Sequence, residues 1–156
     1  MRRTLAALSA TLVLACAGAP AAWGQPGTHV MITPDELKWT DVPSLPAGAK
    51  VAVIEGPLSE AVPFTFRLKF PANYQIPAHW HPAIEHVTVI SGVLNMGMGD
   101  KLDRSGTKAL SAGSAAIMPP KSNHFVWNDG ETVVQIHGVG PWGINYINPA
   151  DDPRKK

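Results

Sequence analysis

Residues 78–86 read Ala78-His79-Trp80-His81-Pro82-Ala83-Ile84-Glu85-His86. Three of the chain's 6 histidines fall in this stretch. On an extended strand, residues i and i+2 point to the same face, so His79 and His81 project side by side. Their rings are spaced about 6 to 7 Å along the strand, close enough to converge on one ion. Pro82 breaks the strand and lets the chain bend, so that Glu85 can bring a carboxylate to the same point. One more nitrogen must come from a distant part of the chain. His124, just after the Pro119-Pro120 turn, is the best candidate. His86 neighbours Glu85, and alternation turns it to the opposite face.

Outward from this stretch the chain reads as short strands. Val51 to Ile54 is apolar. Phe64-Thr65-Phe66-Arg67-Leu68-Lys69-Phe70 alternates with period two, with Phe, Phe, Leu and Phe on one face. Glu85 to Ile90 and Val93 to Met98 flank a tight Ser91-Gly92 turn. Ser114 to Met118 is stopped by Pro119. His124 to Trp127 and Thr132 to Val139 are separated by Asn128-Asp129-Gly130, a strong hairpin turn. Ile144 to Ile147 is expected to close the sheet. Eight to ten strands with frequent turns and almost no helix predict an all-β sandwich or barrel, with a jelly roll as the natural solution for its edges. One helical turn is expected at Thr33 to Trp39, capped by Thr33 with Pro34 in first position.

The motifs resemble those of the cupin family. His79, His81, Glu85 and Gly92 stand at the positions of its first motif, and Gly113, Pro119, His124 and Asn128 at those of its second. Asn73 and Lys121 replace two glycines of that pattern. The resemblance covers residues 45–147 and implies a cupin jelly-roll β-barrel. It also implies one divalent transition-metal ion per chain, held by His79, His81, Glu85 and His124, with positions open to water or substrate. Mn, Fe, Cu, Ni, Co and Zn all suit three nitrogens and one oxygen.

Other residues are weighed against this centre. Glu85 and His137 are the candidate catalytic groups. Gln135 and His137 share one face of their strand and line the pocket if that face looks inward. Trp80, Trp127, Trp39 and Trp142 read as packing residues. Met96 and Met98 share a face and read as core filling. His29 sits in a linker and carries no expected role. The Gly138 to Gly143 turn lacks the helix that a phosphate cradle needs.

Length and composition bound the rest. The chain has 156 residues, enough for one domain of ordinary size. Its 45% apolar content supports a packed core, and a formal charge of +1 without a long basic run argues against a nucleic-acid protein. The single cysteine excludes an internal disulfide and a thiolate zinc site. Arg2 and Arg3, followed by a small apolar run from Leu5 to Ala19, read as a secretory signal over residues 1–24, too short to span a bilayer. Cys16 after Leu14-Ala15 gives an alternative, a lipid anchor at that residue. The expected order is a signal peptide at 1–24, an N-terminal extension at 25–44, a cupin domain at 45–147 and a polar tail at 148–156.

These readings predict an exported, periplasmic or secreted, metal-dependent oxidoreductase. It would be dioxygenase-like or cleave oxidatively, and act on a small organic or carbohydrate substrate. The alternative is a metal- or small-ligand-binding cupin without turnover. The resemblance implies a homodimer. No transmembrane segment and no nucleic-acid partner are expected.

Overall fold

The computed structural model describes residues 29–156. The expected signal at 1–24 and the anchor at Cys16 lie outside the described residues. Eleven strands follow in chain order. They are β1 (Thr40–Asp41), β2 (Lys50–Glu55), β3 (Pro63–Phe70), β4 (Gln75–Trp80), β5 (Glu85–Ser91), β6 (Val93–Met98), β7 (Thr107–Ser111), β8 (Ala115–Met118), β9 (His124–Trp127), β10 (Thr132–Val139) and β11 (Asn145–Tyr146). One sheet has the order β1-β2-β3-β10-β5-β8 and the other β11-β4-β9-β6-β7. Every strand pairing is antiparallel, and the two sheets form the expected jelly roll. Among the described residues the only helical pieces are short 3-10 turns.

Period-two alternation decides which side chains meet between the sheets. Phe64, Phe66, Leu68 and Phe70 of β3 are all buried, and Thr65, Arg67 and Lys69 face out. β10 pairs with β3 along its whole length, with Val134 opposite Leu68 and Ile136 opposite Phe66. These inward residues meet Ile76, Leu94, Met96 and Val126 of the five-stranded sheet in one core. Burial of each such side chain contributes about 1.5–3 kcal/mol.

The turns explain why two non-glycine residues fit where the family pattern has glycine. Asn73 has φ 59° and Lys121 has φ 62°, both left-handed. Asn enters this region readily, and its N–H donates to Asp129 O at 2.9 Å. Lys121 keeps the conformation despite its Cβ. Its N–H donates to His81 O at 2.8 Å, tying the turn before β9 to the end of β4. Asn128 is buried and donates to Pro71 O at 2.8 Å, which locks the β9–β10 turn.

Several expectations are corrected. The boundary at residue 44 falls inside the folded unit, because β1 pairs with β2 and Leu37 is buried. The helical turn at Thr33 shrinks to Pro34–Glu36, closed by the Thr33 N–H donating to Glu36 Oε2 at 2.7 Å. The polar tail is docked. Asp152 is buried, and Arg154 both pairs with it at 2.7 Å and donates to Ile144 O at 3.1 Å. Met98 is 60% exposed, since β6 runs past the core at its end, and only Met96 fills the interior. β7 went unread because Leu110 is the one inward apolar residue of an otherwise polar edge strand.

Lys121 yields a test. Lys121→Gly relieves a left-handed strain of about 1–2 kcal/mol against about 0.5–1 kcal/mol of added chain entropy. Chemical denaturation is therefore expected to show it neutral to about 1 kcal/mol more stable. Lys121→Val, β-branched at positive φ, is expected to lose about 1–3 kcal/mol.

Candidate metal centre

Two strands of one sheet and the start of a strand in the other build the centre. His79 on β4 lies directly opposite His124 on β9, so their rings are cross-strand neighbours with centroids 4.3 Å apart. His81 follows the end of β4, and its ring lies 5.0 Å from His79 and 5.3 Å from His124. The Pro82–Ile84 bend carries the chain across to the other sheet. There Glu85 opens β5 and faces the three rings. Glu85 Oε2 is 3.2 Å from His124 Nε2, and Oε1 is 3.7 Å from His81 Nε2. All four residues are at most 6% exposed.

Backbone carbonyls orient every ring. His79 Nδ1 donates to Pro77 O at 2.7 Å, His81 Nδ1 to Gly143 O at 2.7 Å, and His124 Nδ1 to Ser122 O at 2.9 Å. A carbonyl only accepts, so each neutral ring carries its proton on Nδ1 and presents a lone pair on Nε2. This is the arrangement in which a metal-ligating imidazole is held by an outer partner. Donor atoms of His79, His81 and His124 lie within 4.8 Å of one another. His81 Nε2 and Glu85 Oε2 are buried without a hydrogen-bond partner. A shared cation satisfies both, and three nitrogens with one carboxylate suit a divalent transition metal. The residues present therefore fit the implied ion.

Electrostatics favour the neutral ring at His79 and His81, while Glu85 draws a proton toward His124 that a bound cation would displace. Burial, reinforced by His124 and His81, holds the His79 pKa well below its ordinary value. Burial also lowers His81. Burial works to raise Glu85, but its contact with His124 and the nearby His81 outweigh it and hold the carboxyl below the usual range. Burial works to lower His124, but Glu85 outweighs it and raises that pKa.

The four groups sit at one pole of a cavity of about 170 Å³ between the sheets. Trp142 forms part of its wall. Its indole stacks on His81 at 4.1 Å and 15°, and the backbone N–H of Trp142 donates to Leu58 O at 2.7 Å. The adjoining Gly143 carbonyl orients the same imidazole. Val42, Ser44 and Leu45, assigned from the sequence to an extension, also line the cavity. No local pattern announces these residues. The Pro141-Trp142-Gly143 turn was the one available signal for Trp142.

Gln135 and His137 are not in the cavity. Their face of β10 looks outward, and Val134 and Ile136 take the inward places. Gln135 instead accepts from Arg67 Nε at 3.2 Å. His137 stacks on His86 at 4.8 Å and 15° on the outer surface. The catalytic and pocket roles assigned to His137 and Gln135 are thereby withdrawn. Trp127 carries the Arg104 guanidinium over its ring at 4.4 Å, and Trp39 carries Lys69 at 4.7 Å. His29 is exposed.

Comparison with known proteins adds a domain match. Residues 66–139 match the model of the cupin domain. Germin-like protein 5-1 of Oryza sativa subsp. japonica is 32% identical over 94 residues, which is 60% of this chain and 42% of that protein. The match thus spans less than half the rice protein's length. The polyketide cyclase RemF from Streptomyces resistomycificus has a TM-score of 0.66 at 13% identity, over 82% of this chain and 92% of its own. An RmlC-like cupin from Shewanella frigidimarina has a TM-score of 0.58 at 15% identity, over 72% and 91%. At these identities the two solved structures show a shared fold.

The geometry separates two neighbouring histidines. His81→Ala is expected to weaken zinc binding by more than the roughly 10–100-fold that follows loss of even an outer partner. His86→Ala, on the outer surface, is expected to bind zinc like the parent chain. Calorimetric zinc titration of both variants measures this, and a loss of binding in His86→Ala contradicts the assignment.

Proposed function

The domain over residues 66–139 is a cupin jelly roll, and on that premise we propose that the chain is a metal-dependent oxidoreductase acting on a small organic substrate at His79, His81, Glu85 and His124. The observation that carries this reading is the convergence of three carbonyl-tethered imidazoles and one carboxylate at the pole of a largely apolar cavity. A bound Mn, Fe, Co, Ni, Cu or Zn ion supplies Lewis acidity there and, where redox-active, electron exchange with dioxygen or peroxide.

The chain's own residues do the rest. The Nδ1–H tethers fix three rings in the ligating tautomer before any ion arrives, so little ordering is left for binding. Glu85 balances part of the ion's charge. It is also the one carboxylate lining the cavity among the described residues, so proton transfer there falls to Glu85. A second carboxylate, required for glycosidase chemistry, is absent from that lining. Apolar walls lower the local dielectric and strengthen each polar contact at the pole.

The same reading places the protein outside the cytoplasm on the strength of the 1–24 leader, with lipidation of Cys16 as the variant form. It takes the protein to be a homodimer, since the jelly roll leaves strand edges free to pair. Among the described residues no helix is long and apolar enough to cross a membrane.

Reconstitution with Fe(II), Mn(II), Cu(II) or Zn(II), followed by oxygen- and peroxide-uptake assays over small organic substrates, tests the proposal. A redox-active metal is expected to support uptake. His124→Ala or chelation is expected to reduce it at least about 100-fold. Stoichiometric metal without uptake on any substrate favours a binding protein instead.

A further inference from the structure

The cavity itself speaks to the kind of molecule it takes, and the argument rests on the metal-centre reading above. Its walls are side chains such as Phe66, Leu68, Ile76, Leu94, Val126 and Ile136, contributed by both sheets. Beyond the four groups of the centre, the only side-chain polar atoms that the lining residues carry are the Ser44 hydroxyl and the Trp142 indole N–H. The two tyrosine hydroxyls nearby are engaged elsewhere. Tyr146 donates to Ser44 O at 2.9 Å, and Tyr74 donates to Pro46 O. A ligand hydroxyl directed at these walls therefore finds a side-chain partner only at the Ser44 hydroxyl or the Trp142 indole, and each further hydroxyl left unpaired weakens binding by about tenfold or more.

Size sets a second limit. The volume of about 170 Å³ is close to that of an engineered apolar cavity of about 150 Å³ that stays dry and binds benzene. Charge sets a third. Three neutral imidazoles and one carboxylate carry a single negative charge, and a divalent ion reverses it to a single positive one. Such a pole, buried among apolar groups, pairs best with one anionic oxygen donor.

We infer that the ligand of this centre is a molecule about the size of one six-membered ring, apolar over its body, with a single anionic oxygen-donor head that meets the metal pole. Of the two substrate classes that the sequence leaves open, the small organic compound fits and the carbohydrate does not.

Two molecules built on one six-membered ring, with opposite polarity over the body, test this. Catechol carries its oxygens at one end, where one hydroxyl gives up its proton to the buffer and meets the cation as a phenolate, and myo-inositol carries them all round. In calorimetric titration of the zinc-loaded full chain, catechol is expected to bind one to one, at least about 100-fold tighter than myo-inositol. Val134→Phe, which fills the cavity from β10, is expected to keep zinc and lose catechol. Equal binding of the two rings, or no catechol binding to the zinc-loaded chain, overturns the inference. Failure of zinc itself to bind sinks the metal reading alone. Benzene and myo-inositol are then compared on the metal-free chain by thermal shift. Stabilisation by benzene and not by myo-inositol upholds the apolar body, and the reverse overturns it.

Discussion

Everything about this site depends on three imidazoles whose Nδ1 protons are already spent on backbone carbonyls. Pro77, Gly143 and Ser122 each hold one ring. Two of these carbonyls lie two residues before their histidine, so local chain geometry sets those rings. The third comes from 62 residues away and exists only once β11's approach has formed. The ligating geometry is thus partly local and partly a product of the finished fold. Glu85, arriving from the opposite sheet, ties the centre to correct stacking of the two sheets.

What the chain revealed before folding follows the same division. His79, His81 and Glu85 were legible because strand alternation and one proline bend relate them over seven residues. His124 was legible because the motif around it runs in register from Gly113 to Asn128. The structure brings all four together. The alternation that worked for β3 was blurred on β10, where Val133 is apolar yet points away from the core. That ambiguity left open which side Gln135 and His137 take, and they take the outer one. Trp142, beyond its place in a Pro-Trp-Gly turn, and the Val42–Leu45 wall owe their places to tertiary contacts, so no period marks them.

The two glycine replacements show how conformation and residue type come apart. Asn73 and Lys121 both sit at positive φ, as the glycines of the pattern would. The turn is over-determined by its surroundings, notably the bond from Lys121 to the His81 carbonyl. A lysine there costs some strain and leaves the loop, and therefore His124, in place.

The cavity walls are also the seam of the molecule. Phe66, Leu68 and Ile136 line the ligand space and clamp one sheet on the other. Trimming any of them to admit bulkier compounds would loosen the whole barrel, so chemical scope and folding robustness are coupled here. Evolutionary drift toward new substrates would more cheaply begin at Val53, a half-exposed residue of the same lining, where changes leave that seam intact.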